Sequence, residues 1–294
     1  MNIVVLGPGA IGSLWASYLH HAGHAVSLWS RRAESTISIQ RDEHVSVQFA
    51  NHSKRALEHA DLLLVTLKAP QVEDALSELK PLINKDTVII LMHNGMGTAE
   101  VVSKLLIDNP LVLATTTHGA YRKSSHHVLH TGLGKTELGG YNSTGKQCEF
   151  LAEVFQHALP QVVWNPKILD ALWNKLAINC AINPLTAMHR VANGELAHSQ
   201  YQETLQSVIR EVTLVMQAEG IDTDSEILTQ SVAHVIQATA KNLSSMQQDI
   251  VHQRQSEIDF ITGYLIKKAQ QHNIATPVNS SLYDAVKNIE QGWN

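Results

Sequence analysis

"NIVVLGPGAIGSLWASYLHHAGHAVSLWS", residues 2–30, decides the fold. "NIVVLG" is a short apolar run rich in β-branched residues and stopped by glycine, the pattern of a buried parallel strand. The next segment places apolar residues at 11, 14, 15, 18 and 19, one face of a helix, and Gly23 suits the end of that helix. "AVSLWS" then reads as a second strand, completing a βαβ unit. Between strand and helix lie Gly7, Gly9 and Gly12, in the G-x-G-x-x-G spacing. The first glycine makes a tight turn, the second lets a pyrophosphate approach the backbone, and the third lets helix and strand pack closely. Phosphate then rests on the free N–H groups and positive dipole at the helix start. The turn Gly7, Pro8, Gly9, Ala10, Ile11, Gly12 is therefore a candidate dinucleotide site, although Pro8 has no N–H to offer.

At the end of the second strand such proteins usually keep an acid for the adenosine ribose 2′-hydroxyl. Here "LWSRR" puts Arg31 and Arg32 there instead. A 2′-phosphate is repelled by an acid and favours the planar, always-charged guanidinium. The expected cofactor is NADP(H), with Arg31 as the direct contact.

Further strands are expected at "DLLLVTL", "TVIILMHNG" and "LVLATTTHG", with helices at "PQVEDALSEL" and "TAEVVSKLL" between them. That alternation implies an open, mostly parallel sheet. "HHVLHTG" and "KTELGGY" read as short strands closing this part of the chain. Beyond about residue 166 the pattern becomes helical, in "QYQETLQSVIREVTLVMQAEG", "EILTQSVAHVIQATAKN" and "QSEIDFITGYLIKKAQQH". The expected fold class is an α/β N-terminal Rossmann-type domain, residues 1–165, followed by an all-α C-terminal domain, residues 166–294.

The composition agrees with a folded protein of about two domains: 294 residues, 44% hydrophobic and 17% charged. A net charge of −5 without basic clusters argues against nucleic-acid binding. Two scattered cysteines do not form a disulfide framework, and no apolar run approaches the roughly 18 residues of a membrane span. A soluble cytoplasmic protein is expected, with no metal site.

Ligands of open α/β sheets bind beyond the carboxyl ends of the strands. Lys68 and Asn94 arrive where two apolar strands run out, and Gly95 and Gly97 allow close approach there. His118 ends a third strand and reads as a hydrogen-bonded structural histidine. In "LWNKLAINCAINPLTA", Lys175, Asn179 and Asn183 recur every fourth residue, a polar stripe on an otherwise apolar helix. Such a stripe must face a cavity or find partners, since unpartnered buried polar groups are costly. Pro184 disfavours helix at Asn183, so the helix is expected to kink or end there. By periodicity alone, Glu257 of "SEIDF" reads as a solvated helix residue.

Taken together, "GPGAIG", "LLLVTLKAPQVEDAL", "HNGMGT", "TTTHGA", "WNKLAINCAINPLTA", "NGEL", "SSMQQDI" and "EIDFITGYL" resemble the ketopantoate reductase family over nearly the whole chain. The resemblance implies an N-terminal Rossmann domain, a C-terminal helical domain, an active site in the cleft between them, and NADPH-dependent reduction of 2-dehydropantoate to (R)-pantoate. It implies that Lys175 is the proton donor and that Asn94, Asn179, Asn183 and Asn193 meet the small-molecule substrate. Ser245 would bind the substrate carboxylate, with Met246, Gln247 and Gln248 beside it. Lys68, Asn94, Ala120 and Glu257 would contact the cofactor, Glu257 also lying near the substrate hydroxyl. Two rivals remain open: a reductase of the same fold for another 2-keto acid, and a non-catalytic NADPH-binding protein. The oligomeric state is expected to be monomer or homodimer.

Overall fold

The computed structural model describes residues 1–293. They form two compact units, one of Met1–His93 and Thr98–Ile168, the other of Asn94–Gly97 and Leu169 onward.

The first unit starts with strand β1 (Asn2–Leu6), helix α1 (Ala10–His21) and strand β2 (Ala25–Trp29). Its apolar runs become the strands β5 (Leu62–Val65), β6 (Val88–Leu91) and β7 (Leu111–Thr116), and β5 and β6 are buried at every position. With β10 (Thr136–Gly140) and β11 (Val162–Trp164) they make a seven-stranded sheet in the order β11-β10-β7-β6-β5-β1-β2. The pairing is parallel except where β10 runs antiparallel to β7. The chain passes from β1 outward to β2 and returns on the other side as β5, so the order reverses at β1, where open α/β sheets form their ligand crevice. The short α2 (Lys54–Glu58), α3 (Val72–Leu79), α4 (Thr98–Leu105) and α5 (Leu151–Ala158) complete the unit's helices.

A second sheet was not anticipated from the sequence beyond its strand β9 (His127–Gly132). It has the order β4-β3-β9-β8 and also contains β3 (Thr36–Arg41), β4 (Val47–Ala50) and β8 (Gly119–Ser124). In β3, "TISIQR" alternates buried and less buried positions, as in a sheet with one covered face, and so lacks the continuous apolar signal of the main sheet. Helix α1 packs against strands of both sheets, which explains why Leu14, Trp15, Ala16 and Leu19 are all fully buried.

His118 lies in the turn before β8 and is buried. Its Nδ1 accepts the Gly134 N–H at 3.0 Å and sits 3.1 Å from His130 Nε2, while His130 Nδ1 lies 2.9 Å from the Tyr18 hydroxyl. This arrangement needs the neutral ring, and burial followed by the nearby His130 lowers the His118 pKa accordingly. His118 is a structural histidine.

The second unit holds α6 (Ile168–His189), α7 (Ser199–Ala218), α8 (Ser225–Ala238), α9 (Ser245–Val251), α10 (Thr262–Gln271) and α11 (Pro277–Gln291). Helix α6 runs through Pro184 without ending, so of the kink or end expected there, the end does not occur. Packing overrides the proline: Ala181, Ile182, Leu185 and Ala187 on either side are all buried in one core. The buried Glu211 of α7 accepts the Val278 and Asn279 N–H groups, each at 2.9 Å, and so caps the first turn of α11.

Truncating Leu14, which is fully buried in the first unit's core, should cost about 2–5 kcal/mol. Urea unfolding of Leu14→Ala, followed by the fluorescence of the adjoining Trp15, should show the lowered midpoint.

Candidate active site

Two of the glycines have the conformational and packing roles that the spacing predicts, and the third faces open space. Gly7 follows β1 at φ +86°, a conformation that L side chains rarely adopt. A Cβ on Gly12 would stand 2.6 Å from the Gly7 carbonyl oxygen and would collide with Thr66 Oγ1. That hydroxyl already donates to the Gly7 carbonyl at 2.7 Å, tying the turn to the end of β5. A Cβ on Gly9 would meet nothing closer than 3.9 Å, so its outer side is open where a pyrophosphate would approach. Gly9 caps α1, whose first turn carries no acid to repel phosphate, and Pro8 adds a carbonyl that accepts from Ser13 Oγ at 3.1 Å. Ala10, Ile11 and Gly12 form the first helical residues. Lys68 follows β5 and opens the 3-10 turn Ala69–Gln71, while Ala120 lies in β8 opposite His130. The residues present fit a bound dinucleotide phosphate.

At the end of β2 the two arginines differ. Arg32 donates from Nη2 to the Ser125 carbonyl at 2.9 Å, whereas Arg31 is exposed. The turn is shaped by the buried Asn51, which accepts from Ser30 N at 3.1 Å and donates to the Arg32 and Glu34 carbonyls at 3.2 and 2.6 Å. Arg122, on β8, donates to the same Ser125 carbonyl at 3.3 Å, and its pKa is lowered by burial and by the charge of Arg32. Neither Asn51 nor Arg122 was singled out in the sequence, because the second sheet that delivers them was not recognised as a unit.

In the second unit the structure brings together Asn94, Lys175 and Glu257. Asn94 donates from Nδ2 to Glu257 Oε2 at 3.1 Å. Lys175 keeps some exposed surface but is closely surrounded by protein, and desolvation lowers its pKa while the Glu257 carboxylate pushes it back up. Desolvation wins, a balance that residue identities alone left undecided. Glu257 is only 7% exposed, so it is not the solvated helix residue that periodicity suggested. It precedes the 3-10 turn Ile258–Phe260, and α10 begins only at Thr262, so the helical spacing of this segment does not apply at Glu257. Gly95 also acquires a specific reason. At φ +78°, a Cβ there would stand 2.5 Å from the Phe260 carbonyl oxygen, so this glycine makes room for the neighbouring turn.

The remaining expected residues are more dispersed. Asn179 is half-buried and Asn183 buried on α6. Asn193 is buried and donates from Nδ2 to Thr239 Oγ1 at 2.9 Å, while its Oδ1 has no hydrogen-bond partner. Ser244, not Ser245, is the buried cap of α9, accepting from Gln247 N at 3.0 Å and from Thr186 Oγ1 at 2.7 Å. Thr186 Oγ1 also lies 3.1 Å from the Asn183 carbonyl oxygen, so the start of α9 is fastened close to Asn183. Ser245 is exposed and Gln248 half-buried, so both present surface at the start of α9. Met246 does not: it packs in the helical core at 2% exposure, and Gln247 is buried beside it. A core position on the inner face of α9 explains Met246 by packing. Among the described residues, no group of three or more His, Cys, Asp or Glu could hold a metal ion, and no helix is long and apolar enough to cross a membrane.

Comparisons with known proteins converge. The family model described as "Ketopantoate reductase PanE/ApbA" matches residues 3–143, and its C-terminal counterpart matches residues 167–290. The 2-dehydropantoate 2-reductase of Vibrio cholerae serotype O1 is 55% identical over 294 residues, covering 100% of this chain and 99% of that protein. The crystal structure of a PanE/ApbA family ketopantoate reductase from Ralstonia eutropha JMP134 superimposes with a TM-score of 0.88 at 26% identity, over 99% of each chain. D-mandelate dehydrogenase in complex with NADH shares the fold, with a TM-score of 0.90 at 24% identity over 100% of each chain.

Two glycine variants should separate a ligand role from a packing role. Gly9→Ala should leave the melting temperature near that of the parent yet weaken nicotinamide dinucleotide binding, because the added methyl occupies open space beside the helix start. Gly12→Ala should lower stability by about 1–3 kcal/mol, the usual range for overpacking. Calorimetry and equilibrium cofactor titration on both variants provide the check.

Proposed function

The chain belongs to the ketopantoate reductase family, and we propose that it reduces 2-dehydropantoate to (R)-pantoate with NADPH, Lys175 giving the proton, in the synthesis of pantothenate. The observation that carries the reading is the grouping of Lys175 with Glu257 and Asn94, in which a desolvated ammonium is opposed by one carboxylate.

NADPH, held on the glycine turn Gly7–Gly12, would supply the hydride for the ketone carbon. Negative charge then grows on the ketone oxygen, and the Lys175 ammonium stabilises that charge and transfers a proton to it. Burial makes the ammonium a better acid than a lysine in water, and Glu257 keeps it from losing its proton too early. Asn94, Asn179 and Asn183 can orient the substrate without adding charge, and the exposed Ser245 hydroxyl suits its carboxylate. The open side of Gly9 and the α1 N-terminus would hold the pyrophosphate, with Arg31 on the 2′-phosphate, since the Arg32 guanidinium is already engaged by Ser125. The substrate is a small molecule, and the enzyme works in the cytoplasm as a monomer or homodimer. NADPH consumption with ketopantoate, compared with NADH and with a panel of other 2-keto acids, tests the reading directly.

Lys175→Ala should fold and bind NADPH, but turnover should fall about a hundredfold to ten-thousandfold, the usual range for losing a positioned proton donor. Lys175→Arg keeps the charge but holds its proton too tightly, so it should recover little activity. The wild-type rate should decline as pH rises through the Lys175 pKa, which burial places below the ordinary lysine range. That alkaline limb should be missing in Lys175→Ala. Undiminished turnover in the alanine variant would assign the proton to another group.

Arg31→Ala should lose about tenfold to a hundredfold in NADPH affinity, the equivalent of a charge-assisted hydrogen bond, with NADH nearly unaffected. An equal loss for both cofactors in binding titrations would remove Arg31 from the 2′-phosphate.

A further inference from the structure

Glu257 lies outside regular helix, on a turn, so something else must hold its carboxylate in place. Within the segment, Phe260 N and Ile261 N donate to the Glu257 carbonyl at 3.0 and 3.1 Å, and Ile258 N donates to Ser256 Oγ at 3.2 Å, which fixes the backbone but leaves the carboxylate to be placed. The stronger hold comes from α11. Tyr283, Lys287 and Glu290 recur at helical spacing and present one face. Tyr283 Oη donates to Asp259 Oδ1 at 2.6 Å, and Lys287 Nζ donates to Asp259 Oδ2 at 3.0 Å. Lys287 also pairs with Glu290 Oε2 at 3.5 Å, and Glu290 Oε1 accepts the Ser256 N–H at 2.9 Å. The turn is therefore gripped at residues 256 and 259, on both sides of Glu257.

The charges are arranged to the same end. Asp259 and Glu290 share the Lys287 ammonium, while Glu257 faces Asn94 and Lys175. Burial tends to lower the Lys287 pKa, but Asp259 and Glu290 outweigh it and hold the value above the ordinary range. Burial, with the Asp259 carboxylate, pushes the Tyr283 hydroxyl up to about 12. Lys287 thus stays charged and Tyr283 stays protonated across the working range of pH. The grip also extends past Glu257, because the Phe260 carbonyl accepts the Met96 N–H at 2.8 Å and so fastens the loop that carries Asn94.

We propose that Lys287, assisted by Tyr283, is a positioning residue for this reaction: by fastening Asp259 and Glu290 it fixes the Ser256–Phe260 turn and aims the Glu257 carboxylate at Asn94 and Lys175. This rests on the reading that Lys175 is the proton donor. Lys287 itself touches none of the reacting groups.

The test is the pH profile of kcat for Lys287→Met, measured beside wild type, Lys287→Arg, Tyr283→Phe and Lys175→Ala. In Lys287→Met the carboxylate wanders and its support of the Lys175 ammonium weakens. The alkaline limb should move to lower pH by about half a unit or more. The plateau kcat should fall about threefold to thirtyfold, as for a small misplacement of a catalytic group. KM for NADPH should stay within about twofold, since uniform binding is untouched. The sign is diagnostic. Removing a cation acts on Lys175 directly by easing repulsion, and that alone would move the limb to higher pH. Lys287→Arg keeps charge and reach and should restore both the limb and the rate. Tyr283→Phe changes no charge and should shift the limb in the same downward direction by less; if Lys287→Met does not fold, this variant decides. A limb that coincides with wild type, or lies above it, in the folded variant overturns the proposal. A limb that survives in Lys175→Ala would instead remove the donor assignment, and the positioning role with it.

Discussion

An ammonium group partly taken out of water keeps its charge more readily when a counter-charge stands near it, and at Lys175 the Glu257 carboxylate is that counter-charge. The lysine comes from the buried helix α6, where packing leaves little freedom to move it. The carboxylate therefore has to be brought to the lysine. It comes from a short irregular turn, held from one side by α11 and linked on the other to the Asn94–Gly97 loop. Even the left-handed Gly95 follows from this, since the loop can lie against Phe260 only without a side chain there.

The first unit meets a different constraint, that of a tight turn from strand into helix. Its requirements fall on glycines, and the turn leaves open space beside Gly9 at the start of α1. Thr66 adds a constraint that is absent from the G-x-G-x-x-G spacing: its hydroxyl bonds the Gly7 carbonyl and occupies the space that a larger residue at position 12 would need. The turn is thus fixed jointly by β1 and β5, the two strands that flank the reversal in sheet order.

Legibility in the sequence followed the strength of periodicity. The strands Leu62–Val65, Val88–Leu91 and Leu111–Thr116 are nearly continuous apolar runs, and the strand–helix–strand opening and the long amphipathic α7 are equally plain. Strands of the second sheet were mostly missed because their faces differ in burial and one, "GAYRKS", is largely exposed. The proline in α6 did not end the helix, since there a local preference was set against a packed core. The stripe of Lys175, Asn179 and Asn183 was visible from spacing alone. The burial of Glu257 was not, because its partners Asn94 and Lys175 lie far away in the sequence and no local pattern marks such a contact.

The same contrast separates the two arginines at the end of β2. As letters they are equivalent, adjacent and of equal charge. What distinguishes them is the hairpin tip at Ser125, which engages Arg32, and the buried Asn51, which sets the path of the turn from Ser30 to Glu34. The carbonyl of Ser125 serves both Arg32 and Arg122, so two guanidinium groups are gathered at one acceptor. Their mutual repulsion is tolerable because both keep access to solvent, and it leaves the corner electropositive. The adjacent arginines thus divide into Arg32, which helps to build the corner, and Arg31, which stays exposed beside it.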